Sequence, residues 1–555
     1  MAGWDAWRVW VAGALLVACG RTGLFAESGN DSQADTGQAP TDGPGQTDTG
    51  APSSSESSST TMLIECDEDT GTCPIELRLR RAVDILFVVD NSGSMGGEQA
   101  TLARSFRSFV EVLEAQQVGA NYRIGVTTTA GDGLLRATSC RERLNDFLFE
   151  WTFGTLDERQ RGCLDHCAIE SLALADPWVE KSEGTTNLPP GIAIADALQC
   201  VGPPGINGPG FERPLEGMYQ VITNDTAGFL RDDALLAVIF LTDEADCSAT
   251  IENQSWLQAS GDVFWEPGSQ STSASCWNAG VTCTGGPGVY DDCLAVDKGF
   301  DGFPTDDPDE AVLFPTDRYV DVLTELAIQR QASGGQGQVL LSLIAGVPLD
   351  YPETEVIQYA DSQFDDFNVQ YGIGPACNIG SETVNDPPGI PDVRLRKVVE
   401  SFAGGEPTVF SVCSDDYSIA LESIAGAIGE ISERACVIGC VADLAPEQGV
   451  QPSCQLVEQF PVDLDEPDRL VQACQIDGDS WDFPGPLVDV CYRVLDDLDQ
   501  STPQLVDDMT THCSTQEFNL ELLVERRPGV PVPSGTSIAV DCDLLGQPGV
   551  KCEDV

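Results

Sequence analysis

The sequence predicts an α/β fold, doubly wound around a mostly parallel sheet in the Rossmann-like manner, and three observations carry that expectation. Two strand-length segments, residues 82–89 and 235–242, are apolar almost throughout, as strands buried on both faces are. Elsewhere apolar residues recur at helical spacing, as at Leu102, Phe106, Phe109, Val110 and Leu113. Strand-like and helix-like segments then alternate through the middle of the chain, the signature of right-handed crossovers onto one sheet.

The first element reads as an export signal. Arg8 precedes an apolar stretch over 9–18, which Leu16-Val17-Ala18-Cys19 closes. That stretch is well short of the ~20 residues a helix needs to span a bilayer. Its end resembles the lipobox of bacterial lipoproteins, which implies that Cys19 is acylated and that its lipid is the chain's only hold on a membrane. By the same resemblance Gly20, where some inner-membrane lipoproteins carry aspartate, points to the outer membrane or the cell surface. Residues 20–62 are mostly Ser, Thr, Gly, Asp, Gln and Pro. With so little apolar surface to bury they cannot offset the entropy of ordering, and they read as a tether.

Residues 63–80 form a lead-in. The buried strand 82–89 follows, then Asp90-Asn91-Ser92-Gly93-Ser94 and a helix over 98–116. A strand over 122–128, a helix over 213–223 and the strand 235–242 continue the series. It ends with helix 318–330, strand 339–347, helix 393–402, strand 408–413 and helix 419–433. Residues 130–210 and 251–315 break the alternation. Rich in Gly, Pro and Trp and carrying Cys140, Cys163, Cys167, Cys200, Cys276, Cys283 and Cys293, they read as disulfide-stapled insertions on the sheet's loops. From 436 to 555, helical periodicity fades and cysteines become regular, so a small, Cys-rich, mostly β C-terminal domain is expected, with strands over 518–524 and 536–540.

Composition narrows the function. Asp and Glu number 90 against 28 Lys and Arg, a formal charge of −62, so phosphate backbones are repelled and nucleic acid is not a partner. Setting Cys19 aside leaves 20 of the 21 cysteines, an even number as expected for pairing in an oxidising compartment. Cys163 with Cys167 and Cys436 with Cys440 have a spacing that zinc accepts, but His166 and His512 are the only histidines, so zinc ranks far below disulfides.

One constellation carries chemistry. Asp90, Ser92 and Ser94 follow a buried strand at alternate positions in a loop that Gly93 allows to be tight, so three hard oxygen ligands converge where open α/β sheets bind things. Such ligands suit Mg²⁺ or a similar hard divalent ion. These residues, with the strand before and the helix after, resemble the metal-ion-dependent adhesion site of the von Willebrand factor A family, and the resemblance extends over 81–435. More broadly, the chain resembles secreted lipoproteins of myxobacteria and their relatives that carry such domains.

The resemblance implies a binding module rather than an enzyme, with Mg²⁺ (or Mn²⁺ or Ca²⁺) as cofactor. It implies a second aspartate, Asp243, acting through a metal-bound water, and a partner protein whose Asp or Glu carboxylate takes the open metal position. The family also places a threonine in a loop before the strand that leads to this second aspartate. Two positions compete here: the loop 208–212, which offers Glu212 and no threonine, and the loop 184–187, which offers Thr186 but demands an extra helix in between. Without that threonine, a structural envelope protein with a degenerate site is the alternative. A hydrolase using Ser92 or Ser94 ranks last, because neither histidine stands in a triad context and no Gly-x-Ser-x-Gly or HExxH occurs.

Overall fold

The computed structural model describes Cys66, most of residues 72–547 and Cys552; the longest interior stretches outside the description are 378–387, 443–450 and 498–505. The expected signal peptide, Cys19 and the tether over 20–62 lie outside the described residues.

Two seven-stranded sheets organise the chain. In the first, Val409–Ser411, Val339–Ala345, Leu235–Leu241, Ala82–Val89 and Asn121–Thr128 run parallel in that spatial order. Trp178–Ser182 and Thr185–Thr186 then add an antiparallel edge. The central strands are buried at every residue because helices cover both faces. Helices Gly96–Leu113, Ile194–Val201 and Ser418–Ile431 pack on one face. Helices Pro214–Thr223, Asp317–Ala332 and Val393–Glu400 pack on the other. Phe87 of the central strand meets Phe106 and Phe109 edge-on, with ring centroids 5.2 and 5.7 Å away. That contact fixes which face of the helix Gly96–Leu113 turns inward.

The second sheet is mixed and mostly antiparallel, in the order Cys73–Arg80, Ser537–Leu544, Cys454–Gln459, Arg469–Ala473, Val490–Leu495, Glu521–Arg526, Arg434–Cys436. Only the pair Arg469–Ala473 with Val490–Leu495 is parallel. Its end strands Cys73–Arg80 and Arg434–Cys436 approach each other, curling the sheet toward a barrel around Ile75, Leu77, Leu456, Leu522 and Val540.

As the class of the whole chain, the doubly wound, mostly parallel α/β fold is therefore corrected. The molecule is a mixed fold in which a nearly closed, mostly antiparallel sheet matches the first in strand number. Nor is that sheet a small C-terminal domain. Residues 73–80, read as a lead-in, pair along their whole length with Ser537–Leu544, so the two ends of the described chain share one core. The physical reason for the misreading is periodicity. Ile75, Leu77 and Leu79 point inward while Pro74 and Glu76 stay exposed, an alternation that fully apolar runs elsewhere outweigh.

All twenty cysteines beyond Cys19 are paired, in ten disulfides. Cys140–Cys163 and Cys167–Cys200 staple the first insertion, Cys247–Cys276 and Cys283–Cys293 the second. The Cys163/Cys167 and Cys436/Cys440 spacings thus serve disulfides. Pairing on this scale marks an exported protein. Among the described residues no helix is long and apolar enough to cross a membrane.

Candidate cation-binding site

Parallel pairing of Ala82–Val89 with Leu235–Leu241 sets Val89 beside Leu241, so the loops that leave the two strands start side by side. The Asp90 amide donates to the Leu241 carbonyl at 2.9 Å. Asp90 is fully buried; its Oδ1 accepts from the Ser92 amide at 2.8 Å and its Oδ2 from the Thr242 hydroxyl at 2.7 Å. The Ser92 and Ser94 hydroxyls lie 3.0 Å apart, and Ser94, which is exposed, hydrogen-bonds the Asp243 carboxylate. Asp90 and Ser92 do not cap the next helix, which starts after Met95 without a side-chain cap.

The loops are pinned by groups whose partners lie far away in sequence. Gln99 donates to the carbonyls of Asp90 (2.9 Å) and Gly205 (2.7 Å) and accepts from the Gly205 amide (3.1 Å). Gly208 donates its amide to the Asn91 carbonyl at 2.8 Å and sits so close that a Cβ would overlap the Asn91 side chain. Gly93 was expected to supply turn freedom, yet it is not among the glycines with positive φ. What its missing side chain accommodates is the Phe149 ring of the first insertion, 3.3 Å from where a Cβ would stand.

Of the two positions for the third ligand, Thr186 is exposed on the edge strand Thr185–Thr186, away from this cluster. Glu212 is fully buried and faces Asp90. Its Oε2 accepts from the Thr129 hydroxyl and its main-chain carbonyl from the Cys247 amide at 2.7 Å. The structure thus brings Asp90, Ser92, Ser94, Asp243 and Glu212 together and leaves Thr186 outside.

Two further acids join them. Glu98, in the first helical turn, and Glu244 are both buried. Glu98 reads from sequence as a first-turn acid that complements the helix dipole, so nothing in the sequence flags it. The Ser273 hydroxyl donates to Glu244 Oε2 at 2.9 Å. Among the described residues, no Lys or Arg forms a salt bridge with Asp90, Glu98, Glu212, Asp243 or Glu244. The guanidinium of Arg161, which lies nearby, is bonded to Glu158 at 2.7 Å. Asp246 differs from its neighbours in the 243–247 loop, being buried against Arg394 at 3.1 Å.

Burial, followed by the repulsion of neighbouring carboxylates, pushes the group's proton affinities up. Glu244 rises to about 8 and Glu98 to about 7. Glu212 and Asp243 rise well above the ordinary range, burial first and then the Asp90 charge. Three oxygens, Glu98 Oε2, Glu212 Oε1 and Asp243 Oδ1, are buried without any hydrogen-bond partner. Buried uncompensated acids of this kind fit a hard cation, since each orphaned lone pair is a ligand position and every donor is oxygen.

No protein-family model and no curated protein matches this chain. Among solved structures, the pilus adhesin SpaC from Lactobacillus rhamnosus GG in its open conformation aligns at 12% identity, covering 85% of this chain and 41% of that one, with a TM-score of 0.28. A second structure of the same adhesin aligns at 10% identity over 86% of this chain and 42% of that one, with a TM-score of 0.21. The chain thus spans about two fifths of the length of these structures.

Proposed function

We propose that this exported chain is a surface ligand-binding protein of the adhesion type, held to the cell envelope by a lipid on Cys19, and that it engages its partner through a divalent cation at Asp90. The observation that carries the reading is the pair of orphaned carboxylate oxygens of Glu212 and Asp243 beside the buried Asp90, with the orphaned oxygen of Glu98 behind them. Asp90, Ser92, Ser94, Asp243 and Glu212 would hold the ion, which supplies a positive centre for an oxygen ligand from outside. The pattern resembles the von Willebrand factor A adhesion site, with Glu212 where that family has threonine. Ser94 is the exposed member, so entry lies on its side, where a partner's Asp or Glu carboxylate would approach.

A binding role is favoured over hydrolysis by the surroundings of the serines. The Ser92 hydroxyl is engaged with Ser94 at 3.0 Å, and the imidazole of His166 with the Arg161 carbonyl at 2.7 Å. Neither contact is the nucleophile–base pair that acyl transfer needs.

The test is thermal melting of the chelator-treated full chain with added Mg²⁺, Mn²⁺ or Ca²⁺. Binding to the native state stabilises by about 2.7 kcal/mol at an ion concentration of ~100 Kd, and Asp90→Ala removes that rise. If no ion moves the midpoint, an envelope scaffold with a degenerate site remains. Ester hydrolysis lost on Ser92→Ala would replace the reading with a hydrolase.

A further inference from the structure

We infer that Glu212 makes the Asp90 site selective for calcium over magnesium. The inference rests on the cation-binding reading above and adds to it which ion the site takes and which residue decides.

Its first ground is charge. Glu212 is fully buried in the loop before the helix Pro214–Thr223, its side chain against Asp90 and near Asp243 and its Oε1 without a donor from the surrounding protein. Asp90, Asp243 and Glu212 bring three carboxylates to one ion, with Glu98 and Glu244 behind them, also buried. Magnesium binds through one or two carboxylates, keeps several waters and is not usually held in an all-protein cage. Calcium accepts about 6–8 oxygens, carboxylates prominent among them, and its affinity grows with their number.

The second ground is tolerance of irregular geometry. Asp90 and Asp243 leave the ends of two different strands and Glu212 precedes the helix Pro214–Thr223, so the three carboxylates come from separate loops. Magnesium demands near-ideal octahedral geometry at about 2.0–2.1 Å, whereas calcium at about 2.3–2.6 Å accepts irregular arrangements. Such a ligand set therefore suits the larger ion.

A third ground is that Glu212 is placed rather than merely near. Thr129 holds its other carboxylate oxygen. Its backbone is tied to Cys247, which the disulfide to Cys276 anchors to the second insertion. The ligand set cannot readily contract around a small ion if this ligand is fixed from both sides. Glu212 is on this account an ion-ligating and ion-selecting residue.

The experiment is calorimetric titration of the chelator-treated full chain with CaCl₂ and, separately, MgCl₂, repeated on Glu212→Gln, Glu212→Thr and Asp90→Asn. The expected result is a Kd for Ca²⁺ lower than that for Mg²⁺ by about tenfold or more. Glu212→Gln, which keeps the shape and removes the charge, should cost about 10–100-fold in Ca²⁺ affinity. Glu212→Thr should bring the two ions level or reverse their order. Asp90→Asn must abolish this binding step, which separates it from any calcium taken by the cluster Asp497, Asp507 and Asp508. Tighter or equal Mg²⁺ binding in the parent chain overturns the selectivity while leaving the cation-binding reading in place. A calcium preference that survives both Glu212 variants overturns the role of that residue, and the absence of any Asp90-dependent binding overturns both readings together.

Discussion

Two aspartates bracket the same buried strand and meet opposite surroundings. Asp84, near its start, is 0% exposed and is paired with Arg231 at 2.8 Å and with Arg330, itself 3% exposed, at 3.6 Å. Asp90, just past its end, is equally buried yet faces Glu212 and the charges of Asp243 and Glu244 instead of a cation. Burial of a carboxylate is thus not informative by itself; what distinguishes a structural acid from a binding acid is whether the fold supplies its counter-charge. At Asp84 the loop after Pro214–Thr223 and the helix Asp317–Ala332 supply it, and the pair is complete within the chain. At Asp90 it has to come from outside.

The largest effect is expected at the closed end. Asp84→Ala strands Arg330 in the interior and should cost about 3–5 kcal/mol of unfolding free energy, measured by urea denaturation, with no dependence on added divalent ion. A loss that calcium restores would mean that the two ends of the strand are not independent.

An intermediate effect is expected from pH. Glu98 and Glu244 are raised from an ordinary 4.5 to about 7 and about 8, so the folded state holds their protons more tightly than the unfolded chain does. Their contribution is fully present below 4.5 and is lost as pH rises through about 7 and about 8. The stripped protein should therefore lose on the order of 1–3 kcal/mol across that window, a loss that a divalent ion reverses by taking the place of the protons. A stripped melting midpoint that rises over this range contradicts the reading of the cluster as uncompensated.

The smallest effect sharpens the choice of third ligand. Thr186→Ala, at an exposed edge position, should change stability by less than about 0.5 kcal/mol and leave the ion-induced rise in melting midpoint unchanged. A lost rise would return the third ligand to the loop around residue 186.

What could be read from the sequence follows the strength of its local signals. The strand Ala82–Val89 has the bounds its apolar run predicts, and the helix Pro214–Thr223 lies within a residue of its predicted start. The helix 98–116 is instead Gly96–Leu113, a shift at both ends that no apolar pattern could specify. In the second sheet the strands expected over 518–524 and 536–540 overlap Glu521–Arg526 and Ser537–Leu544, whereas Arg469–Ala473 and Val490–Leu495 are only partly buried and carry too weak an apolar alternation to be read. In the site, Asp90, Ser92 and Ser94 were visible as a contiguous motif and Asp243 as the end of an apolar run. Thr129 and Thr242, which hold Glu212 and Asp90, carry no signal beyond being threonines beside strands.

By itself the sequence determined what local chemistry and periodicity can encode: which segments are buried on both faces, that the cysteines pair, and that an acid and two alcohols follow a buried strand. Tertiary structure alone decided which acids share a site, that Glu212 and not Thr186 faces Asp90, and that residues 73–80 close a sheet with residues 537–544. The reason is that side-chain proximity across loops and strand pairing across hundreds of residues are set by packing of the whole chain, and no short window of residues contains that information.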